Sequence, residues 1–76
     1  MINNRDIVVL KQFGDHLRQL RLEKGFSQQD LELKAGISKN QVGNIERGEV
    51  NITLVSILAI SKALNISPKE LFDFLP

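Results

Sequence analysis

The sequence predicts an all-α protein, a compact bundle of five helices joined by short breaks. Three observations predict it. Apolar residues recur three and four positions apart, the period of one helix face. Gly25, Gly36, Gly48 and Asn65 each stand where a helical segment would stop, and these residue types accept the left-handed cap conformation. Ser27, Ser38, Thr53 and Ser67 each stand where a segment would start, a place suited to a side-chain oxygen. No alternating β-branched run is flanked by hairpin turns, so no strand is expected.

The first helix is expected from Asn3 or Asn4, either of which can cap it, to Lys24. Ile7, Leu10, Phe13, Leu17 and Leu20 form its apolar stripe. The second, Gln28–Ala35, begins with Ser27 three residues before Asp30, a capping box with Asp in place of Glu. The third repeats the device with Ser38 before Gln41 and runs to Arg47. The fourth follows Thr53 and reaches about Leu64. In the fifth, Ser67 caps, Pro68 takes the first helical position and Glu70 completes a box. Leu71, Phe72, Phe74 and Leu75 then give it a largely apolar surface.

With 76 residues the chain suffices for one compact domain, residues 1–76. A chain of this size buries only about 60% of its unfolded surface, so its stability margin is thin and a partner subunit would help it. The absence of cysteine excludes disulfides and Cys-based metal sites and fits a reducing compartment. MINNRDIVVL has no basic region followed by a long apolar run, so it is not read as a signal peptide. No stretch approaches the roughly 20 apolar residues that span a bilayer, so no membrane partner is expected. A cytoplasmic location is.

Net charge is only +1, so any nucleic-acid partner must be argued from the arrangement of charge rather than its sum. Four Phe without Tyr or Trp argue against single strands or RNA held by stacked aromatics.

The informative segment is residues 28–47, QQDLELKAGISKNQVGNIER. Two short helices meet at a tight turn around Gly36, a residue that accepts such backbone readily. Leu31, Ala35, Ile37, Val42 and Ile45 close the angle between them. The other face of the third helix stays free. This is the plan of a DNA-binding helix-turn-helix, whose second helix enters the major groove. The free face holds Lys39, Asn40, Gly43, Asn44 and Arg47, with Gln41 at its border. Asn and Gln pair with adenine through two hydrogen bonds, and Lys reaches the acceptors of guanine. Gly43 lets the backbone approach the groove. The helix's one acid, Glu46, points inward, as a phosphate-lined partner requires. Any one of these polar residues is more often a plain solvated group; the combination is what favours binding.

At these residues the sequence resembles the Cro/C1-type helix-turn-helix family, also called the Xre family, with the lambda-repressor-like fold. The resemblance covers Phe13 to Phe74 and rests on LRQLRLEKGFSQQDL, KAGIS, IERGE and ALNISPKELF. It is most similar to the controller proteins of restriction–modification systems, with small phage repressors and antitoxins as close competitors. It implies that Gln28 touches a DNA phosphate and braces the recognition helix, and that Lys39, Asn40 and Asn44 read bases, flanked by Gln41 and Gly43. It further implies backbone contacts from Arg47 and from Asn51 in the 48–53 loop. Arg21 and Glu46 match a structural ion pair of the family. Losing one partner would cost roughly 3–5 kcal/mol if the pair is buried and about 0–1 kcal/mol if exposed; something between is expected.

One position departs from the family. Glu32 stands where Ala is usual, because the two helices approach closely there. Its side chain must extend outward, or the interhelical angle must open. Leu33 replaces a usual polar residue and is either exposed or in contact with another surface.

No enzyme site is found. His16 lacks a second His or Cys at ligand spacing, so no metal site is expected. Ser27, Ser38 and Ser67 lack an adjacent His base, and no phosphate-cradling Gly-rich loop is present. Neither a cofactor nor a small-molecule substrate is implied. Gly14, inside the first helix, is read as a site of close packing. The fourth and fifth helices carry more apolar surface than one small core absorbs, so a homodimer through about residues 60–76, with Ile66, Leu71, Phe72 and Phe74 at its interface, is expected. Two functions remain open: a DNA-binding regulator acting on a near-palindromic operator, and an antitoxin-like protein-interaction module that keeps the fold.

Overall fold

Apolar residues from every helix meet in one core: Phe13 and Leu17, then Leu31, then Val42 and Ile45, then Ile60 and Leu64, then Leu71. In the computed structural model, which describes residues 4–75, these lie on α1 (Asn4–Glu23), α2 (Gln28–Ala35), α3 (Gln41–Glu46), α4 (Leu54–Leu64) and α5 (Pro68–Leu71). Among the described residues there is no strand. Full burial of a leucine side chain stabilises by about 1.5–3 kcal/mol, so these few contacts are the main term holding the bundle together. None of the described helices is long and apolar enough to cross a membrane.

The predicted element order holds, with shifts at the ends. Helix α1 closes at Glu23, and Lys24 lies in the turn. A cap at Asn3 lies outside the described residues. Ile7, predicted on the core stripe, is exposed. At α2 the capping box forms as predicted: Asp30 N donates to Ser27 Oγ at 2.9 Å, and Ser27 N donates to Asp30 Oδ2 at 2.9 Å. Helix α4 starts at Leu54 with Thr53 Oγ1 accepting from Ser56 N at 3.1 Å, and ends at a left-handed Asn65.

The Ser27 backbone amide, and after it the Ser27 hydroxyl, hold the Asp30 carboxyl below its ordinary value of 3.8. The folded value therefore lies under the unfolded one. The stabilising effect is complete above about pH 4 and disappears as the solution is acidified through the folded value. Asp30→Asn is expected to destabilise at pH 7, and the difference from the parent is expected to shrink as the solution is acidified below about pH 4, as urea unfolding along a pH series will show.

Two predicted caps are not made. Ser38 does not open α3: Gln41 N donates to Ser38 O at 3.2 Å in a turn, and the helix starts only after Asn40, itself left-handed at φ 71°. Ser67 makes no side-chain cap bond, so the box with Glu70 is absent, although Pro68 does occupy the first turn. With only four residues, α5 is held from outside instead. The His16 ring nitrogen Nε2 lies 2.7 Å from the Glu70 carbonyl oxygen, which has no proton, so Nε2 is the donor. Phe13 packs against Phe72, tilted, and against Phe74, edge-on, both with centroids at 5.9 Å.

Candidate nucleic-acid interface

The turn between α2 and α3 depends on Gly36, left-handed at φ 68°, whose amide closes the end of α2 on the Glu32 carbonyl. Leu31 on α2 and Val42 and Ile45 on α3 are buried beneath it, as predicted. That packing fixes one face of α3 against the core and leaves the other outward.

The base of the site is a buried ionic network. Arg21 Nε and Nη2 donate to Glu46 Oε2 and Oε1 at 2.7 and 3.0 Å, a two-pronged pair. Arg21 Nη1 donates to the Phe26 carbonyl at 2.8 Å. The two side chains are only 8% and 3% exposed, which places the pair at the buried end of the expected range. The Glu46 hydrogen bonds raise the Arg21 guanidinium further above its already high ordinary value. Gln28 Nε2 also donates to Glu46 Oε1, at 3.1 Å. The first residue of α2 is thus tied to the last residue of α3, and both to α1.

The second tie was not foreseen. Glu32 neither turns outward nor is pushed into solvent: it is only 6% exposed. Its carboxylate Oε2 accepts the Val42 amide at 3.1 Å, inside the first turn of α3. The room that a small side chain would leave between the helices is filled by an acceptor for an otherwise unpaired helix N–H. Leu33, by contrast, is 78% exposed.

Of the residues expected to face a partner, Lys39, Asn40 and Arg47 are exposed, and Gln41 and Asn44 are half-buried. Lys39 and Asn40 lie on the turn before α3 rather than on the helix. Together with Gln28, Gln29 and Glu32 they line a polar cleft. Asn51 is exposed on the segment leading into α4. Gly43 does not lie open on that face. It is buried, and the direction a side chain would take there meets Arg47 Nη1 at 3.1 Å and Gln28 Oε1 at 3.2 Å. Its lack of a side chain makes room for these two groups, not for a base edge.

Arg47 is engaged within the chain. Its Nη2 donates to Asn44 Oδ1 at 2.5 Å, and its Nε donates to Glu49 Oε2 at 3.1 Å. Glu49 therefore places an acid at the edge of the face that the sequence left free of acids. Its signal was present, two residues after Arg47 in the ERGE string.

Among the apolar residues expected at a dimer interface, Leu71 is fully buried inside the protomer and is not available to a partner. Phe74 is half-buried between Phe13 and His16, Ile66 is half-buried, and Phe72 is exposed. Leu54, Val55 and Leu58 on α4 are exposed as well. No group of three or more His, Cys, Asp or Glu among the described residues could hold a metal ion.

The helix-turn-helix family model HTH_3 matches residues 17–71. The chain is 43% identical over 63 residues to control protein C.BamHI of Bacillus amyloliquefaciens, covering 82% of this chain and 78% of that protein. It is 34% identical over 61 residues to the transcriptional regulator SinR of Bacillus subtilis, covering 79% of this chain and 55% of SinR. Its structure superposes on that of the restriction–modification controller protein C.AhdI from Aeromonas hydrophila with a TM-score of 0.84 and 46% identity, over 86% of this chain and 98% of that one.

Proposed function

The chain belongs to the HTH_3 helix-turn-helix family of DNA-binding transcriptional regulators, and on that premise we propose that it reads double-stranded DNA in a sequence-specific way, as a homodimer on a near-palindromic operator. The likeness to C.BamHI and C.AhdI supports a controller role in a restriction–modification system. The cytoplasm, where such an operator lies, is its place of action.

The observation that carries this reading is the outward side of α3 with the turn before it. Lys39, Asn40, Gln41 and Asn44 present amide and ammonium donors there. The network under them, Arg21–Glu46–Gln28, keeps α3 fixed relative to α1 and α2. Preorganised donors of these types suit the edges of A·T and G·C pairs in a major groove. Gln28 and Arg47 meet beside Gly43 of α3, and with Asn51 they would supply phosphate contacts. Bringing Arg47 to a phosphate exchanges its Glu49 carboxylate for another singly charged anion.

In a two-fold dimer, two copies of α3 would lie about 34–36 Å apart, on successive major grooves. The half-buried Ile66 and the exposed Phe72, together with the exposed Leu54, Val55 and Leu58 of α4, are among the apolar groups open to a second copy.

Asn44 and Arg47 separate base reading from phosphate binding. Asn44→Ala is expected to weaken binding to the preferred duplex by about 1–3 kcal/mol while leaving a scrambled duplex nearly unaffected. Arg47→Ala is expected to weaken both and to flatten the salt dependence by about one ion. Fluorescence anisotropy at several salt concentrations measures both. Equal loss on both duplexes for Asn44→Ala, or an unaltered slope for Arg47→Ala, would overturn the assigned role.

A further inference from the structure

We propose that Glu32 is a positioning residue for base reading: its buried carboxylate fixes where the recognition helix begins, and so places Lys39 and Asn40. The proposal rests on the DNA-binding reading above and adds to it the device that sets the helix's start.

A helix N-terminus is ordinarily closed by the residue at its own cap position, whose side-chain oxygen accepts an amide two or three residues on. Here that residue is Asn40, which is left-handed and makes no such bond. Val42 is the second residue of α3, and its amide is taken by Glu32 Oε2 at 3.1 Å from the neighbouring helix. The cap of α3 is therefore supplied by α2, across the turn. A carboxylate at that place also meets the positive end of the helix dipole.

The bond is not incidental to an ion pair. Among the described residues, no Lys, Arg or His nitrogen lies within ion-pair distance of Glu32. A carboxylate buried without a counter-ion is held by its hydrogen bonds, so the amide contact determines where its charge rests. Glu32 also forms a wall of the cleft whose rim carries Lys39 and Asn40. At the other end of α3, Glu46 is fixed to Arg21 and Gln28. The short helix is thus pinned at both ends by buried carboxylates, and only the Glu32 end adjoins the turn residues expected to read bases.

Two variants divide acceptor geometry from charge. Glu32→Gln keeps an acceptor oxygen at the same reach and loses the charge. Glu32→Asp keeps the charge and withdraws it by one methylene. Selection from a randomised duplex pool with the parent protein supplies the preferred duplex, and the ratio of its Kd to that of a scrambled duplex is the readout, taken where each variant is folded. Glu32→Gln is expected to hold the parent ratio within about threefold. Glu32→Asp is expected to reduce it about tenfold, the scale of one lost base contact. Amide exchange at Val42 is expected to be slow in the parent and in Glu32→Gln, and fast in Glu32→Asp.

An unreduced ratio in a folded Glu32→Asp, or equal losses in both variants, overturns the proposal. If Glu32→Asp does not fold, Val42 exchange in the parent and in Glu32→Gln decides: slow in both supports the cap, and fast in the parent overturns it. A parent that prefers no duplex refutes the DNA reading and the specificity claim with it. The Val42 exchange then reports separately on the cap.

Discussion

Replacing Glu46 by alanine is expected to cost about 3–5 kcal/mol of folding stability. The substitution leaves the Arg21 guanidinium buried with the Phe26 carbonyl as its remaining partner. A domain of 76 residues has a total stability on the order of 4–11 kcal/mol. The loss is therefore a large share of the whole, and part of the population would be unfolded at 37 °C. Urea unfolding at neutral pH, followed by far-UV circular dichroism, measures it. A loss below about 1 kcal/mol would mean that water screens the pair, contrary to its burial.

The double variant Arg21→Met with Glu46→Leu refines this test. An apolar pair of similar volume frequently matches or exceeds a buried ion pair in stability. The double variant is expected to recover most of the stability lost by Glu46→Ala. It also removes the acceptor of Gln28 Nε2. DNA affinity should thus remain reduced when stability returns, which separates the network's role in bracing α2 from its role in folding.

The second large effect is expected at Gly14. An alanine Cβ there would sit 2.5 Å from the Glu46 carbonyl oxygen and 2.7 Å from its carbon. Both are backbone atoms of α3, so no side-chain rotation relieves the clash. Two effects compete. Alanine gains up to about 1 kcal/mol over glycine in a helix interior, whereas forcing extra volume into a packed contact costs about 1–3 kcal/mol. Here the contact is backbone against backbone, and separating α1 from α3 also stretches the Arg21–Glu46 bonds, so packing dominates. Gly14→Ala should lower Tm by roughly 5–15 °C, taking about 4–8 °C per kcal/mol for a domain of this size. A rise in Tm would show that α1 and α3 lie farther apart than described.

The apolar spacing of Phe13, Leu17, Leu31, Val42 and Ile45 makes that part of the core readable from the sequence, because helical periodicity maps onto burial. Gly25, Gly36 and Asn65 were readable as stops because their left-handed backbone is a local requirement. Ser27 formed the predicted box because its partner Asp30 is three residues away. The Arg21–Glu46 pair came through resemblance to a family, and its geometry agrees.

What was not readable depends on contacts between segments. Ser38 looked like a cap by spacing, yet the cap of α3 is Glu32, ten residues upstream and on another helix. No local pattern specifies that choice. Gly43 and Leu71 were assigned from face and composition, but the Gln28 and Arg47 side chains cover the first, and the closing of α5 on the core buries the second. Glu49 lies outside the helical pattern, one residue beyond the Gly48 stop, yet Arg47 reaches it.

The most direct test of the account is selection of genomic DNA fragments by the purified protein, followed by a salt titration on whatever sequence is enriched. A short inverted repeat is expected, bound by two copies, with a steep fall in affinity as salt rises. Enrichment of no sequence, with weak and uniform binding to all DNA, would contradict it and leave the protein-interaction module as the function of this fold.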